Sequence, residues 1–285
     1  MTQSSKLDRK AIASLNKRQV RKLRVLDLFS GIGGFSLGLE RTGGFETVAF
    51  CEIEDFPRRV LAKHWPQVPC YDDVRTLTAD RLKADGIGRV DVITGGFPCQ
   101  DLSLAGLQAG MGEGTRSGLW SEIARLTREL RPSFVIVENV ANLLRGPAEQ
   151  PGGWFGRVLG DLAECGYDAE WENIPAVALG APHRRERVWL VAYPNQDANF
   201  NRRLPQDGFS HAENIWQRDR RLGELGASPS LCGRDTYARI RRVVYGIPGW
   251  AHRCGALGNS VVPQIPEMIG RAILDSLETA SSRAA

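Results

Sequence analysis

The feature that most constrains the fold is a regular alternation of short apolar runs and amphipathic helical patterns, which extends from Arg24 to Tyr193. The apolar runs are rich in Val and Ile, as is typical of strands buried on both faces of a sheet. This alternation predicts an α/β fold, with a doubly wound, mostly parallel sheet covered by helices on both faces. The predicted strands are 24–29, 47–52, 90–94, 134–138 and 188–191, and the predicted helices are 35–41, 56–64, 119–130, 155–165 and 265–277.

Polar and glycine-rich segments follow several of these strands directly. They are residues 27–34, Glu52, residues 95–100 and Glu138. Ligands of such sheets bind beyond the carboxyl ends of the strands. We therefore expect these segments to converge on one rim of the sheet.

A cysteine lies at the end of one predicted strand, in the run Gly95-Gly96-Phe97-Pro98-Cys99-Gln100. Proline fixes φ, and glycines let a ligand approach the backbone, so the thiol is presented in a rigid and open setting. This setting predicts chemistry at Cys99. The alternative is a small apolar side chain that packs at the end of a strand.

Composition is that of a globular protein, with 42% hydrophobic and 25% charged residues in 285. No apolar stretch approaches the ~20 residues that cross a bilayer, and no apolar segment follows the basic N-terminus. We therefore expect a cytoplasmic protein. The six cysteines and four histidines are scattered without a Cys-x-x-Cys pair, which indicates reduced thiols and no metal site.

The net charge is only +4, but basic residues are concentrated at the N-terminus and between about residues 202 and 242. Such clusters attract phosphate groups even when the total charge is small. For the N-terminal cluster, a solvated surface is an equal alternative. The helix and strand patterns also break between Pro194 and about Pro229, which indicates a domain boundary.

Pro98-Cys99 is one of five motifs that occur in a fixed order. The other four are DLFSGIGGF at 27–35, ENV at 138–140, RRERV at 184–188 and GNSVVP at 258–263. Together they resemble the DNA (cytosine-5) methyltransferase family, in its bacterial and phage form with a compact recognition region. The resemblance extends from about Arg24 to Leu274.

The resemblance implies an enzyme that transfers a methyl group from S-adenosyl-L-methionine to C5 of a cytosine flipped out of a specific short DNA sequence. It implies double-stranded DNA as partner, association with the nucleoid through DNA, and a monomer without metal. It leaves open an associated restriction endonuclease. A tRNA cytosine-5 methyltransferase of the same fold and a catalytically silent DNA-binding homologue are the alternatives.

The catalytic roles are carried over from the family motifs. Cys99 would add to cytosine C6, although a free thiol with pKa ~8.5 is mostly protonated at neutral pH and needs help. Glu138 would act at cytosine N3, the alternative being an ion pair with a nearby arginine. Arg185 and Arg187 would orient the base oxygen and the catalytic groups. His183 stands where many relatives carry Gln, and its role is open.

The resemblance also implies the cofactor contacts. Phe29 would pack on the adenine, and Glu52 would accept from the two ribose hydroxyls. Asp73 would lie near the adenine amino group, with a turn cap as its alternative role. The full predicted set is Asp27, Phe29, Ser30, Gly31, Gly33, Gly34, Glu52, Ile53, Asp73, Pro98, Asn259 and Ser260.

Three regions are expected along the chain: a basic arm at 1–23, a catalytic domain at 24–193 plus 255–285, and a target-recognition region at 194–254. Because the recognition region is short, we expect a recognition site of about four base pairs. The predicted DNA contacts are Gln100, Ser103, Arg218, Arg220 and Arg221.

Overall fold

The structure is a computed structural model that describes residues 21–97, 119–145, 153–175, 186–195 and 260–283. Within these ranges the strands are β1 (Leu23–Leu28), β2 (Phe45–Cys51), β3 (Cys70–Tyr71), β4 (Val92–Gly95), β5 (Phe134–Val140), β6 (Tyr167–Pro175) and β7 (Glu186–Pro194). The α-helices are α1 (Gly34–Arg41), α2 (Asp55–His64), α3 (Ala79–Ala84), α4 (Trp120–Leu130), α5 (Gly153–Glu164) and α6 (Gln264–Arg283). Short 3-10 helices occupy Val74–Thr76 and Ala141–Arg145.

The seven strands form one sheet in the order β3-β2-β1-β4-β5-β7-β6. The first five positions are parallel, and β7 lies antiparallel between β5 and β6. Because β1, β2, β4 and β5 run in the same direction, their carboxyl ends meet at one rim. The predicted mostly parallel sheet is confirmed.

Side chains of the strands alternate between two apolar cores, one on each face of the sheet. On β1, Leu26 and Leu28 join the core that includes α3, α4 and α5. Val25 joins the core that includes α1 and α6. Helices therefore cover both faces, and burial of both faces explains why the central strands are almost continuously apolar.

Three elements were not predicted from the sequence: β3, α3 and β6. The strand β6 is the outermost of the sheet and includes Asp168, Glu170 and Glu172, residue types that are depleted in strands. It forms because β7 offers a full antiparallel ladder from Tyr167 to Pro175. A pairing partner far along the chain thus overrides a polar local sequence.

The C-terminal helix packs against α1, the helix that follows the first strand. Its buried residues recur at helical spacing, as predicted. They are Ile265, Met268, Ile269, Ala272 and Ile273. Two glycines of α1 allow the close approach: a methyl group added at Gly34 would lie 2.6 Å from the Val261 carbonyl oxygen, and one at Gly38 would meet the Pro263 carbonyl oxygen. No helix in the described ranges is long and apolar enough to cross a membrane.

Two helical glycines give a matched test of this packing. Gly38→Ala places a methyl group against the backbone of Pro263, so we expect a net loss of about 1–2 kcal/mol of unfolding free energy. Gly160→Ala in α5 meets no atom within 4 Å and should gain about 0.5–1 kcal/mol from helix propensity alone. Urea denaturation of both variants measures the two changes. Equal stability of the two would contradict the close approach of α6 to α1.

Candidate active site

The loop that joins β1 to α1, residues 29–33, turns sharply, and we call it the glycine loop. Three of its residues have left-handed backbones: Phe29 (φ 51°), Gly31 (φ 52°) and Gly33 (φ 86°). Such a conformation at a non-glycine residue costs about 1–2 kcal/mol, so the surrounding contacts must hold Phe29 in place. Ser30 supplies part of that hold, because its hydroxyl donates to the Asp27 carbonyl oxygen and accepts from the Cys51 backbone N–H.

Asp27, the next-to-last residue of β1, lies directly beneath the glycine loop and has no exposed surface. Its two carboxylate oxygens accept hydroxyl hydrogen bonds from Ser36 (2.7 Å) and Thr94 (2.9 Å). Burial raises the pKa of Asp27 to about 7, against the opposing effect of these two donors. The sequence placed Asp27 among the cofactor contacts. Its carboxylate faces inward and ties the start of α1 to the end of β4, and the cofactor contact stays a prediction.

Glu52 follows β2 and faces the glycine loop. Its Oε2 accepts from the backbone N–H of Gly31 at 2.7 Å, and its Oε1 accepts from that of Glu54 at 2.8 Å. Burial raises the pKa of Glu52, while these backbone donors lower it. Each carboxylate oxygen carries a second lone pair, so the fixed carboxylate can also accept from a ligand diol. The neighbouring Ile53 is 66% exposed at the rim.

Gly31 borders open space on this rim. A methyl group built on its backbone meets no atom within 4 Å. A ligand can therefore lie directly against the loop backbone beside Glu52. An adenosine-type cofactor needs an acceptor for its ribose hydroxyls and an open backbone, and the residues present fit both needs.

Asp73 caps the 3-10 helix at Val74–Thr76. Its carboxylate accepts from the backbone N–H of Arg75 at 2.9 Å and also binds the Arg75 guanidinium, at 2.7 Å from Nη2. These bonds hold the pKa of Asp73 below its ordinary value. The capping role, the alternative considered from sequence, is thus observed, and the cofactor contact of Asp73 stays a prediction.

Glu138 lies near the end of β5 and is only 7% exposed. The Arg187 Nε donates to its Oε1 at 2.9 Å. The ion pair, the alternative considered from sequence, is thus observed, and the action of Glu138 at cytosine N3 stays a prediction. The antiparallel register pairs Val140 with Arg187 and Glu138 with Trp189, so Glu138 and Arg187 are diagonal neighbours on one face.

The end of β4 lies against the same carboxylate. A methyl group added at Gly96 would be 3.3 Å from the Glu138 Oε2. Gly96 lies three positions before Cys99 in the chain. The sheet thus brings the segment that leads to Cys99 next to Glu138, as expected for strand ends that share a rim.

Asn139 is a site residue that the sequence analysis did not assign. It is buried, its side-chain N–H donates to the Phe97 carbonyl at 3.1 Å, and its Oδ1 accepts from the Val140 N–H at 2.9 Å. The Phe97 ring also packs on Trp120, with 5.6 Å between ring centroids. These contacts fix the residue that precedes Pro98. A buried amide side chain needs hydrogen-bond partners. An Asn directly after Glu138 in an apolar strand was therefore the sequence signal that could have identified this residue.

Ser260 is half-buried beside Val261, the residue that contacts Gly34. In the part of the chain that the structure describes, no group of three His, Cys, Asp or Glu side chains could hold a metal ion. The boundary at 254, the recognition region after residue 195 and several predicted site residues lie outside the described residues. Those site residues are Pro98, Cys99, Gln100, Ser103, Arg185, Arg218, Arg220, Arg221 and Asn259.

Comparison with known families decides the classification of this chain. A family model described as C-5 cytosine-specific DNA methylase matches residues 23–236. The chain belongs to this family. The family resemblance drawn from the order of the motifs is therefore confirmed. S-adenosyl-L-methionine is the cofactor of such methylases.

Curated relatives include the type II methyltransferase M2.BsuMI of Bacillus subtilis, 32% identical over 219 residues, which are 75% of this chain and 50% of that protein. Another is the type II methyltransferase M.Sau3AI of Staphylococcus aureus, 32% identical over 201 residues, which are 66% of this chain and 47% of that protein. The chain thus spans about half the length of these relatives.

A crystal structure of an E. coli prophage protein, assigned as a DNA modification methyltransferase, superposes with a TM-score of 0.51 at 29% identity. The match covers 61% of this chain and 47% of that one. The methylase fold is therefore shared.

The raised pKa of Asp27 predicts a pH dependence of stability. The unfolded chain releases this proton near pH 3.8 and the folded chain only near pH 7, so the contribution of Asp27 falls as pH rises between these values. The slope is at most about 1.4 kcal/mol per pH unit. Asp27→Asn keeps the shape without the titration. Urea denaturation at pH 5, 6, 7 and 8 should show the variant gaining on the wild type up to about pH 7. A constant difference would contradict a neutral buried Asp27.

Proposed function

We propose that this chain transfers a methyl group from S-adenosyl-L-methionine to C5 of a cytosine in double-stranded DNA, through a covalent bond between Cys99 and C6 of the flipped-out base. One observation carries the proposal. The buried Glu138 and the half-buried Arg187 form an ion pair at the rim beside Gly96, which lies on the segment that leads to Cys99. Family membership supplies the reaction class, and this arrangement supplies the acid that the reaction needs.

The chemical problem is that cytosine C5 is a weak nucleophile. A thiolate that adds to C6 turns the ring into an enamine and makes C5 reactive. As the C6–S bond forms, electron density moves toward N3, where Glu138 would share a proton with the ring. S-adenosyl-L-methionine, when bound, supplies the electrophilic methyl group. Water would then take the C5 proton, and the electron pair of that C–H bond would restore the C5–C6 double bond as the C6–S bond breaks and the Cys99 thiolate leaves.

Arg187 would orient Glu138 for this step. Its Nε binds one oxygen of Glu138, and one Nη donates to the Glu186 carbonyl at 2.8 Å. A guanidinium has five donor hydrogens in a fixed plane, so further donors can face a base oxygen. A charged partner in a buried site holds the carboxylate in one direction, and that direction decides whether it meets N3.

Asn139 and Phe97 would fix the entry to the Cys99 segment. The side chain of Asn139 is adjacent in sequence to Glu138, and it binds the carbonyl of the residue before Pro98. Both the acid and the nucleophile segment therefore take their positions from the end of β5. A misplacement of about 1 Å between reacting groups can cost about 10²-fold in rate, so this link matters for turnover.

The base must leave the duplex to reach this rim, since C5 and C6 are otherwise stacked between neighbouring bases. We place sequence choice in residues 194–254, with Arg218, Arg220 and Arg221 on the phosphates. The named relatives are type II methyltransferases. By analogy we assign this chain to a restriction-modification system, acting as a monomer beside a partner endonuclease.

The test is transfer of labelled methyl groups by the full chain to DNA and, in parallel, to tRNA. We expect DNA to be labelled at C5 of cytosine. Glu138→Gln should lower turnover by about 10²-fold or more with cofactor affinity nearly unchanged. Glu172→Gln, an exposed carboxylate on β6, is the matched control and should retain activity.

DNA that contains 5-fluorocytosine at the target separates the covalent step from the rest, because the product then has no removable proton at C5. The wild type and Cys165→Ala should form a stable adduct with it, and Cys99→Ala should not. Labelling of tRNA alone, or an adduct that survives Cys99→Ala, would overturn the proposal.

A second prediction concerns the cofactor face. Gly31→Ala and Gly43→Ala each add a methyl group at a left-handed residue with no atom within 4 Å, so both should lose about 1–2 kcal/mol of stability. Only Gly31→Ala fills the space beside Glu52, and it should weaken cofactor binding by about tenfold or more. Calorimetric titration with S-adenosyl-L-methionine measures this. Equal affinities for the two variants would move the cofactor away from Gly31.

A further inference from the structure

Trp65 follows the end of α2 and covers the corner at which the glycine loop enters α1. A methyl group built on Gly33 would lie 2.7 Å from Cζ3 and 2.8 Å from Cη2 of the indole. The ring therefore rests on the Gly33 backbone with no room for a side chain. Gly33 has φ 86°, so it is the left-handed residue that ends the loop and caps α1.

The indole is itself held by two elements, α1 and β2. Its Nε1 donates to the Glu40 Oε2 at 2.9 Å, and the Glu40 Oε1 accepts from the Thr47 backbone N–H at 3.0 Å. Glu40 belongs to α1 and Thr47 to β2. The Phe50 ring of β2 meets the indole edge-on, with centroids 5.3 Å apart. The position of Trp65 is thus fixed relative to both elements that flank the cofactor face.

This arrangement does not serve ordinary core packing. Trp65 remains partly exposed and belongs to neither of the two apolar cores, whereas Trp120 and Trp189 are fully buried in them. The contact that Trp65 completes is with the loop.

We propose that Trp65 is a positioning residue for the cofactor. Its indole, oriented by Glu40, keeps Gly33 left-handed, and the fixed loop in turn keeps the Gly31 N–H on Glu52 Oε2. The inference rests on the proposed binding of S-adenosyl-L-methionine at this face. It assigns to Trp65 a contribution to cofactor affinity that it makes without touching the cofactor. Preorganisation of a binding loop raises affinity by lowering the ordering cost of binding.

The experiment that tests this inference compares two tryptophan-to-alanine substitutions in the full chain. Trp65→Ala removes the cover from Gly33. Trp171→Ala is the matched control, because Trp171 is 44% exposed on β6 and packs on Phe155, away from the loop. Affinity for S-adenosyl-L-methionine is measured by calorimetry at a temperature at which circular dichroism shows both variants folded. We expect about a tenfold higher Kd for Trp65→Ala and an unchanged Kd for Trp171→Ala.

Steady-state kinetics add a readout that a general loss of stability would not produce. For Trp65→Ala the KM for the cofactor should rise, with kcat at saturating cofactor and the KM for DNA unchanged. Trp65→Phe keeps a ring on Gly33 and should restore the Kd to within about threefold of wild type. If the Kd of Trp65→Phe is as high as that of Trp65→Ala, the contact between the ring and Gly33 is not the source of the cofactor affinity, and the inference is overturned.

A double-mutant cycle tests the contact itself. Gly33→Ala should unfold more easily than Gly43→Ala in the wild-type background, because both residues are left-handed and only Gly33 faces an indole. In the Trp65→Ala background the difference should shrink to the small part that is due to the Leu61 Cδ2, which lies 3.1 Å from the added methyl group. Wild-type affinity in Trp65→Ala, or an equal loss in Trp171→Ala, would overturn the inference alone. Failure of the wild type to bind S-adenosyl-L-methionine would overturn the proposed function and this inference with it.

Discussion

The rim of the sheet depends on one buried carboxyl group. One oxygen of Asp27 accepts a hydrogen bond from a hydroxyl in the first turn of α1, and the other accepts one from a hydroxyl of β4. The glycine loop departs from β1 just after Asp27, and the segment that leads to Cys99 departs just after Thr94. A polar group in a dry interior is costly unless it is bonded, so the three elements keep their mutual positions together. The two halves of the proposed site thus share a single internal support.

Much of the fold could be predicted because the local periodicity of apolar residues along the sequence indicates its strands and helices. The strands β1, β2, β4 and β5 are apolar on both faces, and their ends agree with the predicted ends to within two residues. The helix α6 repeats its apolar residues at helical spacing and begins within one residue of the predicted start, but it extends to Arg283, beyond the predicted end at Leu277. The elements that were missed depend on partners far along the chain. The two-residue strand β3 exists because Phe50 and Glu52 donate to the Pro69 and Tyr71 carbonyls. No local pattern at Cys70 announces that pairing.

The same division applies to the site. Glu52 and Glu138 could be placed on one rim because parallel strands present their carboxyl ends together. The pairing of Glu138 with Arg187 could not be predicted in this way, because it depends on the register of β7, an antiparallel strand that lies beside β5. The bond from Asn139 to Phe97 and the cap formed by Asp73 are likewise facts of three-dimensional proximity. Sequence named the chemical groups, and nonlocal pairing decided which of them face each other.

The packing of α6 on α1 affects how the protein folds while it is synthesised on the ribosome. The inner face of α1, with Phe35 and Leu39, is covered by Ile265, Ile269 and Ile273, which are synthesised long after it. Until that segment emerges, the helix that follows the glycine loop leaves apolar surface in water. Contacts of such long sequence separation slow folding and leave the nascent chain open to association. The proposed cofactor face is thus among the first parts to be translated and among the last to be completed.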